Sequence, residues 1–156
     1  MKLIRATVDD AERICRLQQL AFAALLKKYQ DGECSPANES PERIRQKLRQ
    51  PETYYYFIEV EGETVGGIRV VVPMDHRPKR ISPLFILPEF RGRGYAQEAI
   101  ALVEQRHGAD HWSLDTILQE PGPCHLYEKM GYRETGITKV INDKMTLIFY
   151  EKENTL

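Results

Sequence analysis

The stretch Leu84-Phe85-Ile86-Leu87-Pro88-Glu89-Phe90-Arg91-Gly92-Arg93-Gly94-Tyr95-Ala96 decides how the rest of the chain is read. Its four leading apolar residues read as a strand, stopped by a proline that cannot donate to a ladder. Downstream, Ala96, Ala99, Ile100 and Val103 share one helical face, and Gln97, Glu98, Glu104 and Gln105 share the polar one. Two glycines and two arginines join the strand to the helix. A helix N-terminus carries free backbone N–H groups and a partial positive charge. Together these attract phosphate oxygens. Glycine accepts positive φ and close approach of a ligand, and successive N–H groups then form an anion-binding concavity. An ordinary turn with solvated arginines uses the same residues, since glycine spacing alone is weak evidence. A Walker A loop is excluded because no Gly-Lys-Ser/Thr ending follows. A dinucleotide fingerprint is also disfavoured, because it needs a longer glycine pattern inside a parallel βαβ unit.

Working outward, residues 3–7 read as a first strand, and Asp9 or Asp10 as the cap of a helix. Ala11, Ile14, Cys15, Leu17, Ala21 and Leu25 give that helix its apolar spacing. Residues 30–40 read as loop. Ser40-Pro41-Glu42 starts a second helix, which should end before Pro51. Residues 54–60 and 64–72 are rich in aromatic and β-branched types and form a hairpin about Glu61-Gly62-Glu63. Residues 77–80 read as a polar turn and 81–87 as the fourth strand. After the central helix, Gly108 supplies a stop. Residues 112–118 are a fifth strand and 123–130 a short helix. Two more strands, 132–138 and 144–150, flank an Asn142-Asp143 turn. The order is βααβββαβαββ, an α/β (mixed-sheet α+β) arrangement in one domain spanning residues 1–156.

A chain of 156 residues is long enough to bury a core without staples. A formal net charge of -1 gives no electrostatic case for nucleic acid or an anionic membrane as main partner. The opening Met1-Lys2-Leu3-Ile4-Arg5 lacks a signal-peptide apolar core, and no run reaches the length of a membrane span. Cys15, Cys34 and Cys124 are odd in number and widely spaced, which suits a reducing cytoplasm. His107 and His111 are four apart, but Gly108 breaks the helix between them, so no metal site is expected.

Arg91-x-x-Gly94-x-Ala96, after a strand ending Leu-Pro-Glu-Phe, resembles the acetyl-CoA signature of the GCN5-related N-acetyltransferases (GNAT). Residues 126–136, beginning Leu126-Tyr127-Glu128-Lys129-Met130-Gly131, resemble the second half of that family's cofactor site. The motifs occur in the family's order, and the element order covers nearly the whole chain. The resemblance implies that the fourth and fifth strands splay apart and leave a cleft. The pantetheine arm would lie along the backbone of Phe85, Ile86 and Leu87. The pyrophosphate would sit on the amides of Arg91, Gly92, Arg93, Gly94, Tyr95 and Ala96. Acetyl-CoA would be the co-substrate, with no metal. Many relatives carry an asparagine before the short helix, where this chain reads Gln119-Glu120-Pro121-Gly122-Pro123.

The implied reaction is attack of a neutral amine on a thioester. A lysine-like amine, with a pKa of about 10.4, must first lose a proton to a base. The thiolate leaving group, with a pKa of about 8.5, gains from a nearby acid. Tyr127 stands where the resemblance places a tyrosine beside the CoA sulfur, so it is the expected acid. Glu120 is the expected base; Glu59, Asp115 and Glu89 are alternatives. Cys124 reads as structural, because His125 beside it points about 100° away on a helix. The acceptor, a small-molecule or peptide amine, should enter near residues 26–39 and 138–143. Tyr29, Asp31, Glu33 and the Tyr54-Tyr55-Tyr56 run could recognise it. A non-catalytic acyl-CoA-binding module is the rival reading. A homodimer through the late strands is compatible with the sequence without being fixed by it.

Overall fold

The computed structural model describes residues 1–153. The chain opens with β1 (Lys2–Arg5), α1 (Ala11–Tyr29) and α2 (Pro41–Arg49). β2 (Thr53–Val60), β3 (Glu63–Val71) and β4 (Lys79–Ile86) follow. α3 (Tyr95–His107), β5 (His111–Ile117), α4 (Pro121–Lys129), β6 (Arg133–Val140) and β7 (Thr146–Glu153) complete the order expected from the sequence. The seven strands form one mixed sheet, β1-β2-β3-β4-β5-β7-β6. No helix among the described residues is long and apolar enough to cross a membrane.

The centre of the sheet is buried on both faces, and β2 shows why its sequence runs apolar rather than alternating. Tyr55 and Phe57 face α1 and α2, packing with Ile14, Cys15, Ala21 and Ile44. Tyr56 and Ile58 face the opposite side, with Ala99, Ile100 and Val103 of α3. Ile14 and Ile44 are almost fully buried, each worth about 1.5–3 kcal/mol relative to an exposed side chain. Ser40 caps α2 by accepting from the Arg43 N–H at 3.2 Å, with Pro41 in the first turn.

Two elements begin two residues earlier than expected. Residues 77–80 were read as a turn, yet Lys79 and Arg80 open β4. They are the residues that join the two halves of the sheet, and Asp110 and Asp115 neutralise their charges. α4 begins at Pro121 rather than Pro123. Both prolines fall in the first turn, where a missing N–H costs no helical hydrogen bond.

The β4–β5 contact is the sheet's one parallel pairing, and it covers only Lys79 opposite Trp112 and Arg80 opposite Ser113. Beyond those pairs the strands diverge. β4 stays with β3 instead, although its register slips between Ile68 and Val70. Pro83 lies at this irregular, unpaired stretch, where a central-strand proline is tolerated. Gly66 and Gly67 let β4 approach closely. An ideal Cβ on Gly66 would stand 2.1 Å from the Phe85 carbonyl oxygen.

Candidate active site

The divergence of β4 and β5 opens a cleft of about 730 Å³. One wall is β4 from Arg80 to Ile86; the other is Asp115, Thr116 and Ile117 of β5, with Tyr127 of α4. α1 closes one side through Ala21, Phe22 and Leu25, and Met145 and Leu147 close another.

The ladder determines which β4 backbone groups face this space. Leu87 N–H donates to the Val65 carbonyl at 2.8 Å. Hydrogen-bonded and non-hydrogen-bonded pairs alternate in an antiparallel ladder. Phe85, opposite Gly67, therefore directs its backbone toward β3, and Ile86 directs its own to the open edge. Leu87 itself does not line the cleft; its side chain is buried against α1 and α2. The sequence treated Phe85, Ile86 and Leu87 alike, whereas the pleat makes Ile86 the residue whose backbone groups face the open edge. Its carbonyl accepts from Arg91 Nε at 2.9 Å, and Arg91 Nη2 reaches the Ala21 carbonyl of α1 at 2.8 Å. The Arg91 side chain thus ties the turn to β4 and α1, a role that sequence reasoning missed.

The turn before α3 is built on two glycines with left-handed backbone. Gly92 and Gly94 both take φ of 79°, and a Cβ added to either would meet nothing within 4 Å. Gly94 caps α3 without a side-chain hydrogen bond, so its first amides stay uncapped by the protein's side chains. Arg93 is exposed, 3.5 Å from the Glu89 carbonyl and near the Phe90 ring. Tyr95 and Ala96, half-buried, begin the helix proper.

Tyr127 projects from α4 into the cleft, its ring packed against Tyr132 and Tyr150. Burial pushes its phenol well above the ordinary value, and the charge of Asp115 adds to this. It is therefore a protonated donor at neutral pH.

Of the four carboxylates considered as base, Glu120 and Asp115 line the cleft, and Glu59 and Glu89 do not. Asp115 pairs with Arg80 at 3.1 Å. Glu120 accepts from Lys28 Nζ at 2.8 Å and from the Tyr29 hydroxyl. The Lys28 and Tyr29 hydrogen bonds hold its carboxyl below the usual value. Neither Lys28 nor Arg80 was singled out from the sequence. Nothing local in the sequence marks them, since their partners lie 92 and 35 positions away.

On the acceptor side, Asp31 lines the cleft and Glu33 does not. Tyr29 is buried, with its hydroxyl on Glu120 and its carbonyl accepting from Asn142 Nδ2 at 2.9 Å. The Tyr54-Tyr55-Tyr56 run lies elsewhere. Tyr54 stacks under Arg5, Tyr55 donates to Gln18 in the core, and Tyr56 bonds His107 at 2.8 Å. Burial on both faces of β2 removes these rings from the cleft, which corrects the expectation that they recognise the acceptor. Cys124 sits half-buried with Sγ 3.6 Å from the Ile117 carbonyl.

A mixed sheet split between two parallel strands, with an uncapped glycine turn beside the split, defines an acyl-CoA N-acyltransferase fold. The acetyltransferase (GNAT) family model matches residues 12–132. The uncharacterized N-acetyltransferase YjgM of Escherichia coli (strain K12) is 27% identical over 133 residues, covering 82% of this chain and 79% of its own. Among solved structures, the PaiA N-acetyltransferase of Thermoplasma acidophilum, in complex with coenzyme A, superposes with a TM-score of 0.76 at 12% identity over 98% of each chain. The ribosomal-protein-S18-alanine N-acetyltransferase of Escherichia coli gives 0.77 at 11% identity, over 99% of this chain and 94% of that one. The chain belongs to the acetyltransferase (GNAT) family and is an N-acetyltransferase.

Proposed function

We propose that this enzyme transfers an acetyl group from acetyl-CoA directly to a primary amine, with no acyl-enzyme. The observation that carries this reading is the split between β4 and β5, which opens one cleft lined by Ile86, by Arg91 at the start of the glycine turn and by Tyr127. The pyrophosphate is held by the amides of residues 91–96, and the pantetheine arm bonds the free edge of Ile86. Attack by the neutral amine forms the C–N bond. The C–S bond then breaks as the tetrahedral intermediate collapses. Tyr127 donates its proton to the departing sulfur. The amine's proton leaves toward Glu120 through water, because a carboxylate already holding Lys28 and Tyr29 is a weak direct base. The residues lining the cleft supply acid, base and anchoring without a metal.

Release of free thiol from acetyl-CoA over a panel of primary amines tests the reading. Thiol release that depends on an amine is the expected result; coenzyme A binding without release over any acceptor overturns it. The three free cysteines fit a cytoplasmic enzyme. We further propose that residues 1–156 act as one domain. The exposed Ile137 and Val140 on edge strand β6 support a homodimer, which sedimentation would test.

A further inference from the structure

Six charged side chains line the cleft: Lys28, Asp31, Arg80, Arg91, Asp115 and Glu120. Five have partners. Lys28 holds Glu120, Arg80 holds Asp115, and Arg91 holds two carbonyls. Asp31 is the exception. It is 8% exposed, and its Oδ1 is buried without a hydrogen-bond partner among the described residues. Its backbone carbonyl is fully engaged, accepting from Cys34 N–H at 2.8 Å and Ser35 N–H at 2.9 Å, so the turn presents the carboxylate in a fixed place.

A buried carboxylate without a partner is costly, and an incoming cation offsets that cost. The position favours a cation for a second reason. Asp31 directly follows the C-terminus of α1, whose cap is Gln30. That helix end carries a partial negative charge. Glu120, on the same cleft, is held by an exposed lysine that can be displaced into solvent.

We propose that the acceptor carries a second cationic group besides the amine that is acetylated, and that Asp31 binds that group. The proposal rests on the acetyl-transfer reading above and names its substrate class: α,ω-diamines and other amines with a distal ammonium or guanidinium. The reacting amine reaches the thioester near Tyr127 while the distal cation docks on Asp31. Asp31 is thus a specificity residue that leaves the chemistry of the transfer to other groups.

The test compares short α,ω-diamines with n-alkylamines of matched length, for the wild type, Asp31→Asn and Glu33→Gln. Asp31→Asn keeps the side chain's shape and removes its charge. Glu33→Gln makes the same charge change outside the cleft. In the wild type, kcat/KM for diamines should exceed that for alkylamines by about 30-fold or more, the scale of a buried charge pair. Asp31→Asn should erase that preference and leave alkylamine turnover and the acetyl-CoA KM within about threefold, while Glu33→Gln should keep the preference. Equal use of both amine types by the wild type would overturn the proposal. So would an equal loss on both in Asp31→Asn, which would make Asp31 a base. Titration calorimetry of the same diamines into the coenzyme A complex reads the site without turnover. Diamine binding that Asp31→Asn abolishes supports the site even if no acceptor is acetylated, a result that would sink only the acetyl-transfer reading. Binding unaffected by Asp31→Asn overturns the proposal itself.

Discussion

Tyr127 carries the sharpest prediction at the scale of single residues. Its ring packs against Tyr132 and Tyr150, so Tyr127→Phe keeps the packing and removes only the hydroxyl. Burial keeps that phenol protonated at neutral pH. Tyr127→Phe should lower kcat about 100-fold, the low end for general acid catalysis, because a thiolate is an easy leaving group. The acetyl-CoA KM should not move; steady-state kinetics with unchanged kcat would remove Tyr127 from the chemistry. Glu120 gives a pH prediction. Hydrogen bonds from Lys28 and Tyr29 lower its folded pKa below the ordinary 4.5. A depressed carboxylate contributes stability above its unfolded value and loses it as pH falls through the folded value. Glu120→Gln should therefore be less stable than the wild type at neutral pH, and the gap in urea midpoint should close as pH drops below about 4.5. A gap constant down to acid pH would mean the loss is packing. Tyr127 and Glu120 were singled out from the sequence, the first by resemblance and the second by its place after a strand, and both line the cleft. The partners that set Glu120's charge were not, because Lys28 and Tyr29 lie more than 90 positions away and meet it only after folding.

At the scale of elements, the proposed cofactor seat rests on the turn before α3 and on the β3–β4 pair. Gly94 holds φ of 79° with open space where a Cβ would go, so a side chain there meets strain and ligand rather than protein. Gly94→Val should cost about 1–2 kcal/mol from the left-handed backbone and weaken coenzyme A binding about tenfold or more. Arg93→Ala, removing a solvated side chain, should change it by about threefold at most. Calorimetry ranks the two, and the reverse order would shift phosphate recognition to the side chain. Gly66→Ala acts differently, because its Cβ would lie 2.1 Å from a backbone oxygen that cannot swing away. It should cost about 1–3 kcal/mol as overpacking and should displace the Ile86 edge. Most element boundaries were legible because apolar period and glycine or proline punctuation agree. Lys79 and Arg80 were misread as a turn because their strand character comes from β5 and from Asp110 and Asp115, which lie more than 30 positions downstream. The run 54–56 was misassigned for a related reason. Three tyrosines look like a recognition surface until helices are known to cover both faces of β2.

At the scale of the whole molecule, the sheet is two blocks joined by one short parallel contact. β1 to β4 carry α1 and α2; β5 to β7 form the other block. The open edge of β4 faces the gap, so a ligand lying along Ile86 and meeting Tyr127 and β5 on the opposite wall bridges both blocks. A ligand that binds only the folded state stabilises it by about 2.7 kcal/mol at one hundred times its Kd. For a chain of this size that corresponds to a rise in Tm of about 5–10 °C. Acetyl-CoA should give that rise, and Gly94→Val should need correspondingly more ligand to reach it. The location of the effect matters more than its size. Hydrogen exchange should slow most at Ile86, at the first turn of α3 and around Tyr127, with little change in β1 at the far edge. Protection spread evenly over the sheet would indicate global stabilisation without a bridged split. Protection confined to the α3 turn would mean that the pyrophosphate alone is held and the β4 edge stays open.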